Sequence, residues 1–340
     1  MARSSDEFDA RHLDRRAFLG VAAGAAATIG GLSLGSASAR AASARLLATS
    51  KGTIVFDQPD TNNPVVVPLF AGAKAEAKKL GYTVIFNSEQ LQAAKQLSDI
   101  NTWLAQGVKG MTVLPLSDKG MGPLAKQARK QGVAFVGYAG TIPGEAGSIQ
   151  WNNAQGARLL GTHAGNWINK TLGGKAEVAY LTAQFLLTGR QRIDGTDHWL
   201  RKTAPDAKVV ARVEAIDDAD AYKATQSILS AHPNVNVIIC ISDDGCQGVL
   251  QAFKQTGRSP SKFYTAGFDG SKNALEQLLI PGSVVRASAA LDLFAIGRAA
   301  VWVPVNIIEK KKPTSYLAPY TFVTQSTPAL AKKLIRNYGH

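Results

Sequence analysis

From Thr53 onward, short apolar runs alternate with longer segments of helical period almost to the end of the chain. Strands separated by crossover helices pair in parallel, so this alternation predicts an α/β protein with doubly wound parallel sheets. A first series places strands over 53–57, 82–87, 110–114 and 133–138, with helices over 65–80, 92–106 and 121–131. Pro64 suits the first helical position, where the missing N–H costs nothing. A second series begins after Trp151-Asn152-Asn153. Its helices span 154–170, 189–202, 221–231, 248–255, 272–279 and 291–309, and its strands 176–181, 208–215, 235–241, 263–268 and 283–288. Strongly twisted open sheets rarely exceed about 10 strands, so two similar lobes fit better than one wide sheet. With 340 residues there is enough chain for a core in each. No long flexible linker separates the two series, which predicts lobes that exchange strands and pack closely.

The segment Phe263–Ser271 carries the first candidate for chemistry. Its apolar half reads as a buried strand, and Gly267-Phe268-Asp269-Gly270 turns the chain toward a helix opening at Ser271. Asp269 thus sits at a strand's carboxyl end, the edge that faces the ligand crevice in open α/β sheets. Taken alone, the same carboxylate equally well caps or braces its turn.

Composition bounds the remaining choices. Hydrophobic residues make up 45% of the chain and aromatic residues 7%, both ordinary, but the formal net charge is +13. A nucleic-acid partner would call for basic clusters interleaved with aromatics, and none is present. The densest runs, Lys78-Lys79 and Lys310-Lys311-Lys312, fall near helix ends, where cations favour the dipole. They read as solvated surface. Cys240 and Cys246 match no zinc spacing and cannot make a disulfide scaffold. Buried thiols are preferred, with a disulfide left open if the chain is exported.

Export is what the first 41 residues suggest. Asp14-Arg15-Arg16-Ala17-Phe18-Leu19-Gly20 precedes an Ala- and Gly-rich apolar run over 21–34, and Ala37-Ser38-Ala39 and Ala39-Arg40-Ala41 both suit cleavage. This looks like a twin-arginine signal peptide at 1–41. The apolar run is too short and glycine-rich for a membrane span, and no stretch reaches the ~18 apolar residues one needs. No cysteine lies near the cleavage region, so a lipoprotein is not expected. Cleavage after Ala41 removes five arginines and four acids, leaving the mature chain at +12.

Enzyme constellations are missing from the sequence. There is no Gly-x-Ser-x-Gly elbow, no phosphate loop, no His-Glu-x-x-His and no Gly-x-Gly-x-x-Gly after a strand. His163, His198 and His232 read as structural, and Asp217-Asp218 and Asp243-Asp244 sit at strand-to-helix junctions where capping is the commoner duty.

Several motifs together resemble one family. Thr61-Asn62-Asn63-Pro64 follows the first strand, Gly189-Arg190-Gln191-Arg192 enters a helix, and Ser230-Ala231-His232-Pro233-Asn234-Val235 precedes a strand. Ile241-Ser242-Asp243-Asp244 and Gly267-Phe268-Asp269-Gly270 come next. Their order and spacing, from about Thr53 to Gln325, are similar to the ribose-binding group of periplasmic sugar-binding proteins, the receptors of ABC importers. The resemblance implies a type I periplasmic-binding-protein fold, two lobes joined by a three-crossing hinge and closing on a small ligand. Mapped onto this chain, it implies an N-terminal lobe of residues 50–152 plus 292–320 and a C-terminal lobe of 153–291 plus 321–340.

Residue by residue, the resemblance implies ligand contacts from Asn63, Arg190 and Asp269, with Ser242 where the family usually has Asn and Asp243 retained beside it. Val65 and Val66 stand in place of a stacking aromatic pair, Ala139-Gly140 in place of an Asp-Arg clamp, Leu114 in place of an Asn and Leu291 in place of a Gln. Tyr138 and Trp151 are placed to supply a substitute stacking surface, or else core and hinge packing. A pocket so sparse in polar groups points to a smaller polyol, a deoxygenated sugar or a sugar-derived signal. The resemblance implies no catalytic activity, no cofactor and no metal. It implies a periplasmic or extracytoplasmic monomer that hands a sugar or polyol to an ABC permease. Rival readings are a sensory receptor serving a chemoreceptor, and a hydrolase or oxidoreductase exported by the twin-arginine route, which ligand turnover or a bound cofactor would reveal. A transcriptional repressor with such lobes would carry a DNA-binding helix-turn-helix where this chain has an export signal.

Overall fold

The computed structural model describes residues 50–59, 65–117 and 119–339. The signal-peptide reading at 1–41, Asn63 with its Thr61–Pro64 motif, and His340 therefore lie outside the described residues.

Two six-stranded sheets form the two lobes. In the first, β1 (Thr53–Gln58), β2 (Thr83–Ser88), β3 (Gly110–Val113), β4 (Ala134–Tyr138), β5 (Gly147–Trp151) and β11 (Ser315–Ala318) lie in the order β11-β5-β4-β3-β1-β2, all parallel. The crossover helices α1 (Val66–Leu80), α2 (Ala93–Ala105) and α3 (Met121–Lys130) connect its first four strands. The second sheet has the order β12-β10-β9-β8-β6-β7, built from β6 (Glu177–Thr182), β7 (Lys208–Glu214), β8 (Val235–Cys240), β9 (Tyr264–Asp269), β10 (Val285–Leu291) and β12 (Tyr320–Thr324). Only the pairing of β12 with β10 is antiparallel. Its helices are α4 (Asn153–Leu172), α5 (Leu187–Thr203), α6 (Asp218–Ala231), α7 (Asp243–Lys254) and α8 (Lys272–Gln277). In both sheets the order reverses beside the first strand of the series, which opens a crevice at the strands' carboxyl ends.

The chain changes sheets three times, at Asn152, at Asp292 and at Pro319. At the first two crossings the hinge residue also caps the helix that follows. Asn152 Oδ1 accepts from Gln155 N at 3.0 Å to open α4, and Asp292 Oδ1 accepts from Ala295 N at 3.0 Å to open α9 (Leu293–Ile308). The first two crossings are thus pinned by capped helix starts.

The sequence pattern locates every crossover helix but misses β5, β11, β12 and the C-terminal helix α10 (Pro328–Ile335). Those strands are short, and Leu317 at the β11 edge is 63% exposed, so no buried apolar run marks them. The strand read at 283–288 lies instead at 285–291, where small residues such as Ala287, Ala289 and Ala290 are buried against neighbours on both sides. Sheet context outweighs their weak intrinsic strand preference.

Within the first lobe, α1 and α9 approach so closely that glycine is required at the contact. A Cβ on Gly297 would lie 1.9 Å from Leu69 O, and one on Gly72 would lie 2.1 Å from Phe294 O. The obstacle is backbone, which cannot swing aside as a side chain can. In an isolated helix Gly297→Ala would gain about 1 kcal/mol of propensity. The overpacking outweighs it, and we expect a net loss of about 1–3 kcal/mol in a denaturant titration of the mature chain. A stabilised variant would mean that the two helices separate readily.

Candidate functional site

The side chain that organises the crevice is Arg192. Helix α5 opens at Leu187 and buries the stripe Gly189, Arg192, Ile193, Thr196 and Leu200. Arg192 is only 4% exposed, so its charge needs partners on every side. Its Nη2 donates to Asp269 Oδ1 at 2.6 Å, Nη1 to Ile241 O at 3.2 Å and Nε to Asn153 Oδ1 at 3.3 Å. The guanidinium also lies over the rings of Phe268, at 4.9 Å, and Trp151, at 5.8 Å. Burial works against the charge, but the Asp269 carboxylate and the Tyr320 hydroxyl outweigh it and hold Arg192 above its ordinary range.

Asp269 sits at the end of β9 with φ of 98°, a conformation that L side chains rarely adopt. Such strain costs on the order of 1–3 kcal/mol and persists only where the surroundings impose it. Asp243 supplies much of that imposition from below. Its Oδ2 accepts from Gly270 N at 2.8 Å, Ser271 N at 3.0 Å and Ser288 Oγ at 2.7 Å. Burial raises the Asp243 carboxyl well above its usual range, opposed by the Ser288 hydrogen bond and reinforced by the Asp269 charge. Gly267 allows this proximity, since a Cβ there would meet Ser242 O at 2.6 Å.

The hinge end of the crevice joins the two walls. Asn153 Nδ2 donates to Thr188 Oγ1 at 3.1 Å and Gln191 Oε1 at 2.8 Å, while its Oδ1 also accepts from Tyr320 Oη at 3.0 Å. From the first lobe, Tyr138 meets Trp151 edge-on at 5.4 Å and Phe56 at 5.5 Å. Burial, then the nearby Asp269 charge, raises the Tyr138 hydroxyl, while Arg192 and Gln58 act the other way. Tyr138 therefore feels both members of the ion pair in the opposite lobe. Trp151 Nε1 is buried with no hydrogen-bond partner among the described residues.

A second buried acidic network lies at the carboxyl end of β1. Asp57 is fully buried, with Gln96 Nε2 donating to its Oδ2 at 2.8 Å, and Gln96 reaches on to Leu114 O and Leu116 N. Glu89 is equally buried and accepts a hydrogen bond from Asn87 Nδ2. Burial, then the hydrogen bond and charge of Glu89, push the Asp57 carboxyl up to about 9. The folded chain thus retains a proton here that the unfolded chain loses near pH 4, and stability falls as pH rises between those values. We expect Asp57→Asn to remove this dependence. Its stability relative to wild type should grow by up to about 1.4 kcal/mol per pH unit between pH 5 and 8, read from denaturant midpoints. Parallel pH profiles would show that Asp57 is ionised when folded.

The residues singled out in the sequence are not all brought together. Tyr138, Trp151 and Asp269 converge on the crevice. Val65 and Val66 stand at the start of α1, Val66 buried and Val65 packed against the core. Ser242 opens α7, its Oγ accepting from Gly245 N at 3.5 Å and donating to Ile216 O at 3.0 Å, and Asp243 lies beneath the Asp269 turn. Asp217 likewise caps α6 through Asp220 N at 2.7 Å. Cys240 and Cys246 are buried, unbridged thiols. Arg190 is exposed and its Nη1 donates to Gln184 O at 2.6 Å. The arginine that meets Asp269 is Arg192 instead, because two residues along a helix are some 200° around its axis. Arg192, Asn153 and Tyr320 were not singled out by sequence reasoning. A signal for Arg192 existed: it lies on the same helix face as Gly189, Thr196 and Leu200. Nothing local marks Asn153 over Asn152 or picks out Tyr320.

Comparison with known proteins gives a consistent result. The family described as "Periplasmic binding protein domain" matches residues 54–312. The ribose import binding protein RbsB of Escherichia coli is 28% identical over 259 residues, covering 75% of this chain and 85% of that protein. A xylitol-binding protein of Mycolicibacterium smegmatis is 28% identical over 210 residues, 60% of this chain and 58% of that protein. Among solved structures, a Caulobacter myo-inositol binding protein superposes with a TM-score of 0.75 at 24% identity, over 84% of this chain and 97% of the other. That likeness shows the same fold, two lobes of the type I periplasmic-binding-protein architecture.

Proposed function

Because the chain belongs to the periplasmic binding protein family, we propose that it is the substrate-binding component of an ABC importer. It captures a sugar, a polyol or a related small polar solute between its lobes and delivers it to a membrane permease. The observation that carries this reading is the strained Asp269, at φ 98°, held against a buried arginine at the mouth of the crevice. A residue that merely closed a turn would relax by becoming glycine, whereas a residue that must present a carboxylate cannot. Asp269 Oδ1 engages Arg192, and its Oδ2 takes no hydrogen bond from another described residue, which leaves an acceptor for a ligand hydroxyl.

The remaining walls suit the faces of a polyhydroxylated carbon skeleton. Trp151 and Tyr138 offer rings, and the Trp151 N–H is a donor without a partner among the described residues. Val65, Val66, Leu114 and Ala139-Gly140 add few polar groups. A ligand with many hydroxyls would bury some of them unpaired at about 1–3 kcal/mol each, so a pentose-sized or partly deoxygenated solute fits better than a hexopyranose. The ribose and xylitol named for the two relatives lie in that size range. The basic N-terminal motif supports export by the twin-arginine route to the periplasm.

A thermal-shift screen of the mature chain against sugars, polyols, amino acids and nucleosides tests this. A ligand at about 100 times its dissociation constant adds about 2.7 kcal/mol of stability. We expect the hit among pentoses and pentitols. Asp269→Asn should weaken binding roughly 10- to 100-fold, as loss of a charged hydrogen bond implies, and Arg190→Ala should leave it within about twofold. Tight binding that survives both Asp269→Asn and Arg192→Lys would place the ligand elsewhere.

A further inference from the structure

After β12 the chain forms α10, which packs on α8 and β12, and then a 3₁₀ turn over Arg336–Gly339 that packs against α1 of the opposite lobe. Two consecutive side chains of that turn make polar contacts of a specific kind. Asn337 Nδ2 donates at 3.1 Å to Asp292 Oδ1, the same oxygen that caps α9 at the second interlobe crossing. Tyr338 Oη donates at 2.8 Å to Gly270 O, the carbonyl that follows Asp269. The Tyr338 ring packs against two of the apolar core clusters.

The peptide groups that follow Asp269 are therefore held from two sides. Asp243 fixes the N–H groups of Gly270 and Ser271, and Tyr338 fixes the Gly270 carbonyl. Both grips act on a stretch of backbone held at positive φ, 98° at Asp269 and 75° at Gly270. Burial first, then the charges of Asp243, Asp269 and Asp244, raise the Tyr338 hydroxyl, so it stays protonated and remains a donor.

We propose that Tyr338 is a positioning residue for the ligand acceptor Asp269, and that the C-terminal turn ties this binding loop to the hinge at Asp292. This rests on the reading of Asp269 as a ligand contact. Lobe movement alters the seating of the turn on α1, and Tyr338 transmits that change to the Asp269–Gly270 backbone. Ligand affinity is then coupled to closure through the turn, in addition to the direct contacts across the cleft.

Amide hydrogen exchange on the unliganded mature chain tests the coupling without any ligand. Tyr338→Phe deletes one hydroxyl and keeps the packing. We expect exchange at 268–271 to quicken by roughly threefold to tenfold while β8 amides are unchanged. Unchanged exchange at 268–271, or equal acceleration in β8, overturns the positioning role. Calorimetry with D-ribose, xylitol and myo-inositol as probes supplies a second readout. For any probe that binds, Tyr338→Phe should raise Kd by the same threefold to tenfold with little change in Tm of the unliganded protein. Binding lost in Asp269→Asn but untouched in Tyr338→Phe refutes the positioning role of Tyr338 alone, and binding untouched in both refutes the site reading beneath it.

Discussion

A guanidinium shut away from water at the meeting point of two lobes is the constraint from which the rest of this structure follows. Arg192 is reached by a carboxylate, a backbone carbonyl and an amide oxygen, and it is covered by two aromatic rings. Removing a charge from water costs several kcal/mol even after relaxation, so every one of those partners is needed. They come from four places: the end of β9, the end of β8, the first hinge crossing and the end of β5. Satisfying one arginine thus brings the sheet edge of one lobe, the hinge and an aromatic of the other lobe into a single arrangement.

Strain at Asp269 is the second consequence. Directing its carboxylate at Arg192 requires a backbone turn that a β-carbon disfavours, and the cost is offset by the grip of Asp243 on the next two N–H groups. Buried, and beside another carboxylate, Asp243 holds the loop that follows Asp269. The Asp269 carboxylate is thereby held in one direction by its surroundings, a preorganised arrangement of the kind that limits the ordering cost of binding.

Much of the architecture was legible from residue pattern. Alternation of apolar runs and helical periods marked every crossover helix and most parallel strands, because a strand buried on both faces writes a continuous apolar run. β5, β11 and β12 escaped because short strands at or near a sheet edge bury too little to leave that trace. β10 was displaced in register by its run of small residues, whose burial is decided by the strands on either side. The family resemblance, drawn from motif order, agrees with the match over residues 54–312.

The site divides along the same line. Sequence by itself determined the fold class, the pairing of lobes and the candidacy of Asp269, since each depends on local pattern or on a strand's end. Only the tertiary structure shows which arginine faces that carboxylate, which of two adjacent asparagines meets the arginine, and that Asp243 braces the turn beneath it. Arg190 and Arg192 share a motif and a chemistry, and differ only in the direction each leaves the helix. That direction takes meaning from what lies across the gap: Asp269, Asn153 and Ile241, remote in sequence and adjacent only once both the sheet and the hinge have formed.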